Sequence, residues 1–269
     1  MAFPRRMIGR ALLPGLFWIL TSACAVAQEV AVTIPTRPGV LQSFLADIPA
    51  HPVAAVILFP ATDDPFPITF DLSGAPGSPS RDFLIRTRKM FVAANIATLA
   101  LDVPSDKLGG LTEAFREGPD QATDLDAAIA WLKQRANVPV WLVGTNLGSI
   151  TAAANAIRLG PAIGGVVLTS SVSVVTPNAP DGGVLGLDLA ALRVPALIME
   201  DTEDACHPSP PADAARIAAS MAHAPRREVK RIDGGASPKT GPCGPLSFHS
   251  YYGVEPQAVG AITAFITAP

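Results

Sequence analysis

Residues 137–158 read NVPVWLVGTNLGSITAAANAIR. Val138–Val143 is a continuous apolar run rich in valine, the composition of a strand buried on both faces of a parallel sheet. Gly144-Thr145-Asn146-Leu147-Gly148 follows, and then a run of small residues, Ser149–Arg158, with helical character. The order is strand, sharp turn, helix, with a glycine two positions either side of the apex, Asn146. Glycines there let the backbone turn tightly and hold the apex side chain above the end of the sheet.

Outward from this unit the chain alternates in the same way. Ala54–Phe59 (AAVILF), Ile96–Leu101, Ala162–Thr169, Val194–Glu200 and Glu228–Ile232 are predicted strands. Arg81–Ala94, Asp120–Arg135, Pro211–Met221 and Val254–Thr267 are predicted helices, the second with acids in its first turns and Lys133 and Arg135 in its last. Val30–Ile34 is expected as an edge strand ended by Pro35 and Pro38. Residues 42–52 read as a connector, 107–119 as a loop, and 171–192 as a loop with room for one short helix. Arg81, Arg86 and Arg88 read as a solvated helix face. Strands alternating with helices predict a doubly wound, mostly parallel α/β sheet, whose sites form at the carboxyl ends of the strands.

Composition narrows the function classes. The chain has 269 residues, 49% of them hydrophobic and 16% charged, enough for one well-filled core and too apolar for a disordered chain. The net charge of −3 and the absence of a basic stripe argue against nucleic acid as a partner. Arg5, Arg6 and Arg10, the apolar Ala11–Leu20 and Ala25-Val26-Ala27 form a targeting segment with an A-x-A cleavage site. Residues 1–27 are therefore expected to be a signal peptide and 28–269 the domain, periplasmic or secreted, with no transmembrane helix after cleavage. Arg5-Arg6 leaves twin-arginine export open, and Cys24 leaves lipidation open. Cys206 and Cys243 remain after cleavage; an even count in an exported chain predicts one disulfide, worth about 3–4 kcal/mol in the chain-entropy model. Two cysteines without histidines at ligand spacing argue against zinc, and no cofactor is expected.

Three polar positions stand at strand ends in a fixed order: Asn146 in the turn, Asp204 after Val194–Glu200, and His249 before the closing helix. Nucleophile, acid, histidine is a hydrolase chain order, and Gly144–Gly148 matches the G-x-S-x-G nucleophile elbow except at its apex. On WLVGTNLGS, LDVPSD, EDTEDACHPSP and PCGPLSFHSYYGVE the chain resembles the α/β-hydrolase superfamily over nearly all of residues 54–269, and within it an exported bacterial branch. The resemblance implies the α/β-hydrolase fold. The short span between Thr169 and Val194 leaves no room for a large cap. The resemblance also implies Asp204 as the acid, with Glu200, Asp201 and Glu203 as rivals. It implies His249 as the base, with His207 as runner-up and His223 exposed. Leu147 N–H would be the first oxyanion donor and Ala61 or Thr62 the second. A bridge between Cys206 and Cys243 would tie the acid loop to the histidine loop.

Two departures decide which functions remain. Asn146 has no oxygen that a histidine base can activate, whereas acyl-enzyme chemistry needs one. Deamidation to aspartate would supply a carboxylate, but the bulky Leu147 disfavours it. Ser149 is expected to pack against the sheet. Asp63 and Asp64 follow the second oxyanion position and oppose negative charge there. Three readings follow. The first is an exported hydrolase of ester or related acyl bonds with a small-molecule substrate. The second is a pseudoenzyme of the same fold that binds a small molecule or a partner protein. The third is a cation site built from Asp63, Asp64 and His249.

Overall fold

The computed structural model describes Met1 and residues 28–61 and 66–269. The expected targeting segment, Thr62, Asp63 and Asp64 lie outside the described residues. The strands and helices run β1 (Val30–Arg37), β2 (Val40–Asp47), β3 (Ala54–Phe59), β4 (Thr69–Phe70), β5 (Pro76–Gly77), α1 (Phe83–Ala93), β6 (Ile96–Leu101), α2 (Glu113–Glu117), α3 (Pro119–Lys133), β7 (Val140–Thr145), α4 (Gly148–Leu159), β8 (Gly165–Thr169), β9 (Ala196–Asp201), α5 (Asp213–Ser220), β10 (Arg227–Ile232) and α6 (Glu255–Thr267). Eight strands form one sheet in the order β1-β2-β6-β3-β7-β8-β9-β10, and β4 and β5 form a small ribbon apart. β2 is antiparallel to both its neighbours; from β6 to β10 every pairing is parallel.

The sheet separates two cores. In β7, Val140 and Leu142 join the core built with α3, α4 and α5, while Trp141 and Val143 join the core built with α1 and α6. β3 divides likewise, Ile57 to one side and Val56 and Leu58 to the other. A strand with period two, covered on both faces, is apolar at every position, which is why AAVILF and VWLV read as strands in sequence.

β2 was hidden in the expected connector because two of its buried positions are polar and break the apolar pattern of Val40, Phe44, Leu45 and Ala46. Gln42 and Asp47 are buried. Gln42 Nε2 donates to the carbonyls of Ser43 and Asp102, and Asp47 accepts from Lys89 Nζ at 2.7 Å. Only partners from distant segments make that strand affordable. β1 runs through Pro35, with a register shift between Pro35 and Arg37, because an edge strand tolerates a missing donor. α2 occupies part of the expected 107–119 loop, started by the Thr112 side chain accepting from Phe115 N–H.

The arginines of α1 correct the solvated-face reading. Arg81 is exposed, but Arg88 is buried and bonds Glu29 through both carboxylate oxygens, at 2.6 and 2.9 Å. Arg86 joins α1 to α6, bonding Glu255 Oε1 and the Ser250 carbonyl. Glu29→Ala would leave the Arg88 guanidinium buried without its partner, and chemical denaturation should register a loss of about 3 kcal/mol.

Candidate active site

The turn after β7 is shaped by contact as much as by chain flexibility. A Cβ on Gly144 would lie 2.2 Å from the Gly148 carbonyl oxygen, and a Cβ on Gly148 would lie 2.2 Å from that of Phe59. Both glycines are required for α4 to start directly above the strand ends. Asn146 sits at φ 50°, the left-handed region that asparagine tolerates better than other side chains with a Cβ. Its N–H donates to the Thr169 carbonyl, and its own carbonyl accepts from Ser149 N–H and Ser149 Oγ. Ser149 is fully buried and its hydroxyl is spent on the turn, so it serves packing, as expected.

Asn146, His249 and Asp204 lie in one hydrogen-bonded line. Asn146 Nδ2 is 2.7 Å from His249 Nε2, and His249 Nδ1 is 2.8 Å from Asp204 Oδ2. The other end of the carboxamide is also held, Oδ1 accepting from Leu147 N–H at 2.8 Å. That bond assigns the whole line. The amide oxygen must face the Leu147 donor, so the amide nitrogen faces the histidine. Nε2 is then an acceptor, and the ring proton is on Nδ1, donated to Asp204.

Each member is fixed from outside the line. Asp204 Oδ1 accepts from Cys206 N–H at 2.8 Å, and Asp204 N–H donates to the Asp201 carbonyl. The His249 carbonyl accepts from Ser170 Oγ at 2.7 Å, and His249 is 1% exposed. Ser170 Oγ is also 3.2 Å from the Tyr251 hydroxyl, which in turn donates to the Met199 carbonyl. The rivals are not brought to this line: His207 and His223 are exposed, and the Glu200 and Asp201 carboxylates meet Ser171 N–H and Glu203 N–H instead. Cys206 and Cys243 form the disulfide, which joins the Asp204 loop to the His249 loop.

Both expected oxyanion donors that the structure describes are already engaged. Leu147 N–H is held by Asn146 Oδ1, and Ala61 N–H donates to Asp82 Oδ2 at 2.8 Å. Asp82 was not singled out in the sequence, although an aspartate directly before FLIRTRKMF is a helix-capping signal. Its Oδ1 accepts from Leu84 and Ile85 N–H, starting α1. Asp82 is buried, and that burial raises its pKa.

Beneath the line the field is acidic. Burial pushes Glu200 well above the ordinary carboxyl range, helped by Asp204 and Asp213, and raises the Tyr251 phenol. Burial also raises Asp201 from 3.8 to about 6.

No family model matches the chain, and no curated protein is similar to it by sequence. Solved structures are similar in fold. A dienelactone hydrolase of Anabaena variabilis is 17% identical with a TM-score of 0.59, covering 89% of this chain and 96% of its own. Est1E of Butyrivibrio proteoclasticus bound to ferulic acid is 13% identical with a TM-score of 0.60, covering 88% and 98%. A lidless α/β serine hydrolase of Xanthomonas campestris is 14% identical with a TM-score of 0.56, covering 89% and 94%. The chain has the α/β-hydrolase fold, a mostly parallel sheet flanked by helices, without a large cap.

Two outcomes follow from this geometry. Replacing Cys206 and Cys243 together by serine should lower stability by about 3–4 kcal/mol in a denaturant melt. Asp201 holds its proton more tightly folded than unfolded. The stability it contributes is fully present below pH 3.8 and is lost as pH rises to about 6. In Asp201→Asn that loss should vanish, so the variant gains on wild type between acid and neutral pH in urea melts.

Proposed function

We propose that this protein is an α/β-hydrolase-fold receptor for a small molecule, a pseudoenzyme that keeps the site architecture of an esterase without its nucleophile. The observation that carries this reading is the Asn146 carboxamide, bonded at one end to Leu147 N–H and at the other to His249 Nε2. A serine in that position would give its proton to the imidazole and attack with the oxygen left behind. The carboxamide offers the imidazole an N–H of negligible acidity, and its oxygen faces the donor that should stabilise an oxyanion. Nucleophile and oxyanion site are thus occupied by the same side chain.

A second reading, an exported hydrolase of ester or related acyl bonds, is favoured by the buried His249–Asp204 pair, held in the orientation a general base needs. The dienelactone hydrolase and the lidless serine hydrolase among the similar folds point the same way. In that reading His249 acts on a water and Asp204 orients it, with Leu147 N–H as oxyanion donor once Asn146 releases it.

Export is part of both readings. Residues 1–27 carry the features of a signal peptide, and the Cys206–Cys243 bridge suits an oxidising compartment, periplasmic or extracellular. Among the described residues no helix is long and apolar enough to cross a membrane.

Hydrolysis of short-chain aryl esters by wild type, Asn146→Ser and Asn146→Ser/His249→Ala separates the readings. The receptor reading expects a silent wild type, turnover in Asn146→Ser, and its loss in the double variant. Wild-type turnover that disappears in His249→Ala would replace it by the hydrolase reading.

A further inference from the structure

Asn146 opens on a cavity of about 280 Å³, lined among others by Ala61, Asp82, Leu147, Val172 and the Cys206–Cys243 bridge. That is close to the lower end of ligand-pocket sizes, about 300–1,000 Å³. Most of the wall is apolar: Leu147, Val172, Pro208 and Pro245 with the bridge. Among the described residues lining the cavity, one is charged, the Asp82 carboxylate, 5% exposed.

Asp82 is bonded but not neutralised. A carboxylate has about four acceptor positions. Leu84 and Ile85 N–H take two on Oδ1, and Ala61 N–H takes one on Oδ2. Among the described residues nothing takes the remaining position on Oδ2. Among the described residues no cation forms an ion pair with Asp82. Arg86, whose field reaches it, is spent on Glu255 and the Ser250 carbonyl. Burial raises the Asp82 pKa despite its three backbone donors and the field of Arg86.

The same arrangement reverses the polarity of the site. Where an acyl-transfer enzyme aims N–H donors at a developing oxyanion, this cavity has acceptor oxygens, Asp82 Oδ2 on Ala61 N–H and Asn146 Oδ1 on Leu147 N–H. Acceptors that already hold their backbone donors repel an anion and attract a donor-rich cation.

We infer that this cavity binds a primary alkylammonium compound with a small apolar body, the ammonium bonding to Asp82 Oδ2 and the body lying against Val172, Leu147 and the disulfide. The inference rests on the receptor reading of the site and names its ligand class. An ammonium carries three donors and no acceptor, the complement of this wall. A neutral alcohol of the same shape can donate one hydrogen bond but brings no charge, and a carboxylate of the same shape is repelled.

Titration calorimetry of the purified protein with phenylpropylammonium, phenylpropanol and phenylpropanoate tests this. The ammonium should bind about tenfold or more tighter than the alcohol, the size of a hydrogen bond to a charged group, and the carboxylate should bind weakest. Asp82→Asn should erase the preference for ammonium over alcohol. Asn178→Trp, at an exposed position lining the cavity, should weaken ammonium and alcohol alike by filling it. Because Asp82 also caps α1, Asp82→Asn may be read only if its thermal melt is cooperative; the three-ligand ranking and Asn178→Trp decide without it. Equal or tighter binding of phenylpropanoate overturns the inference, as does an unchanged ammonium affinity in a folded Asp82→Asn or in Asn178→Trp. Binding of aryl esters without turnover, alongside no ammonium binding, would sink this inference and leave the receptor reading standing. Turnover of those esters by wild type would sink the receptor reading itself.

Discussion

The Asn146 carboxamide is the joint on which the site depends, bonded at one end to the backbone N–H of its own successor and at the other to His249. Its position rests on two glycines that could carry no side chain without striking backbone 2.2 Å away. Through His249 it reaches Asp204, and through Asp204 the Cys206 backbone and the disulfide. Three segments distant in the chain therefore share one set of hydrogen bonds. Such a network stabilises only when every member is satisfied, and here each polar atom of the line has a partner.

The surroundings of the line are acidic. Glu200, Asp201, Asp204 and Asp82 are all buried near it, and burial raises the pKa of Glu200, Asp201 and Asp82. A site that stabilises a developing anion needs donors aimed inward. This one directs its described backbone donors to oxygens of the protein itself. The fold is that of hydrolases, yet fold does not fix function, and the proposed function rests on the side chains placed on it.

Elsewhere the buried charges act as fasteners. Arg88 with Glu29 ties α1 to the chain preceding β1, Arg86 with Glu255 ties α1 to α6, and Arg37 ties β1 to Asp124 of α3. α1 on one face and α3 on the other are thereby tied to the β1 edge of the sheet. A buried pair is costly to break because the partner left behind cannot return to water.

Much of this was legible in the sequence because its cause is local or repeats along the chain. Runs such as AAVILF and VVLT announce strands buried on both faces, and Gly144 and Gly148 announce a tight turn, since only a missing side chain allows it. The predicted strand ends put Asn146, Asp204 and His249 in nucleophile, acid, histidine order, the resemblance to the α/β-hydrolase superfamily chose them over their rivals, and the cysteine count predicted one disulfide. What the sequence left hidden depends on partners far away in the chain. The strand β2 carries buried Gln42 and Asp47, whose partners Asp102 and Lys89 come from distant parts of the chain. The arginines of α1 look solvated until Glu29 and Glu255 arrive. Asp82 reads as a helix cap, and only the tertiary structure turns its other oxygen to Ala61 N–H at the wall of the cavity. The identity of a residue is written in the sequence, but the acceptor that claims a given N–H is chosen by packing.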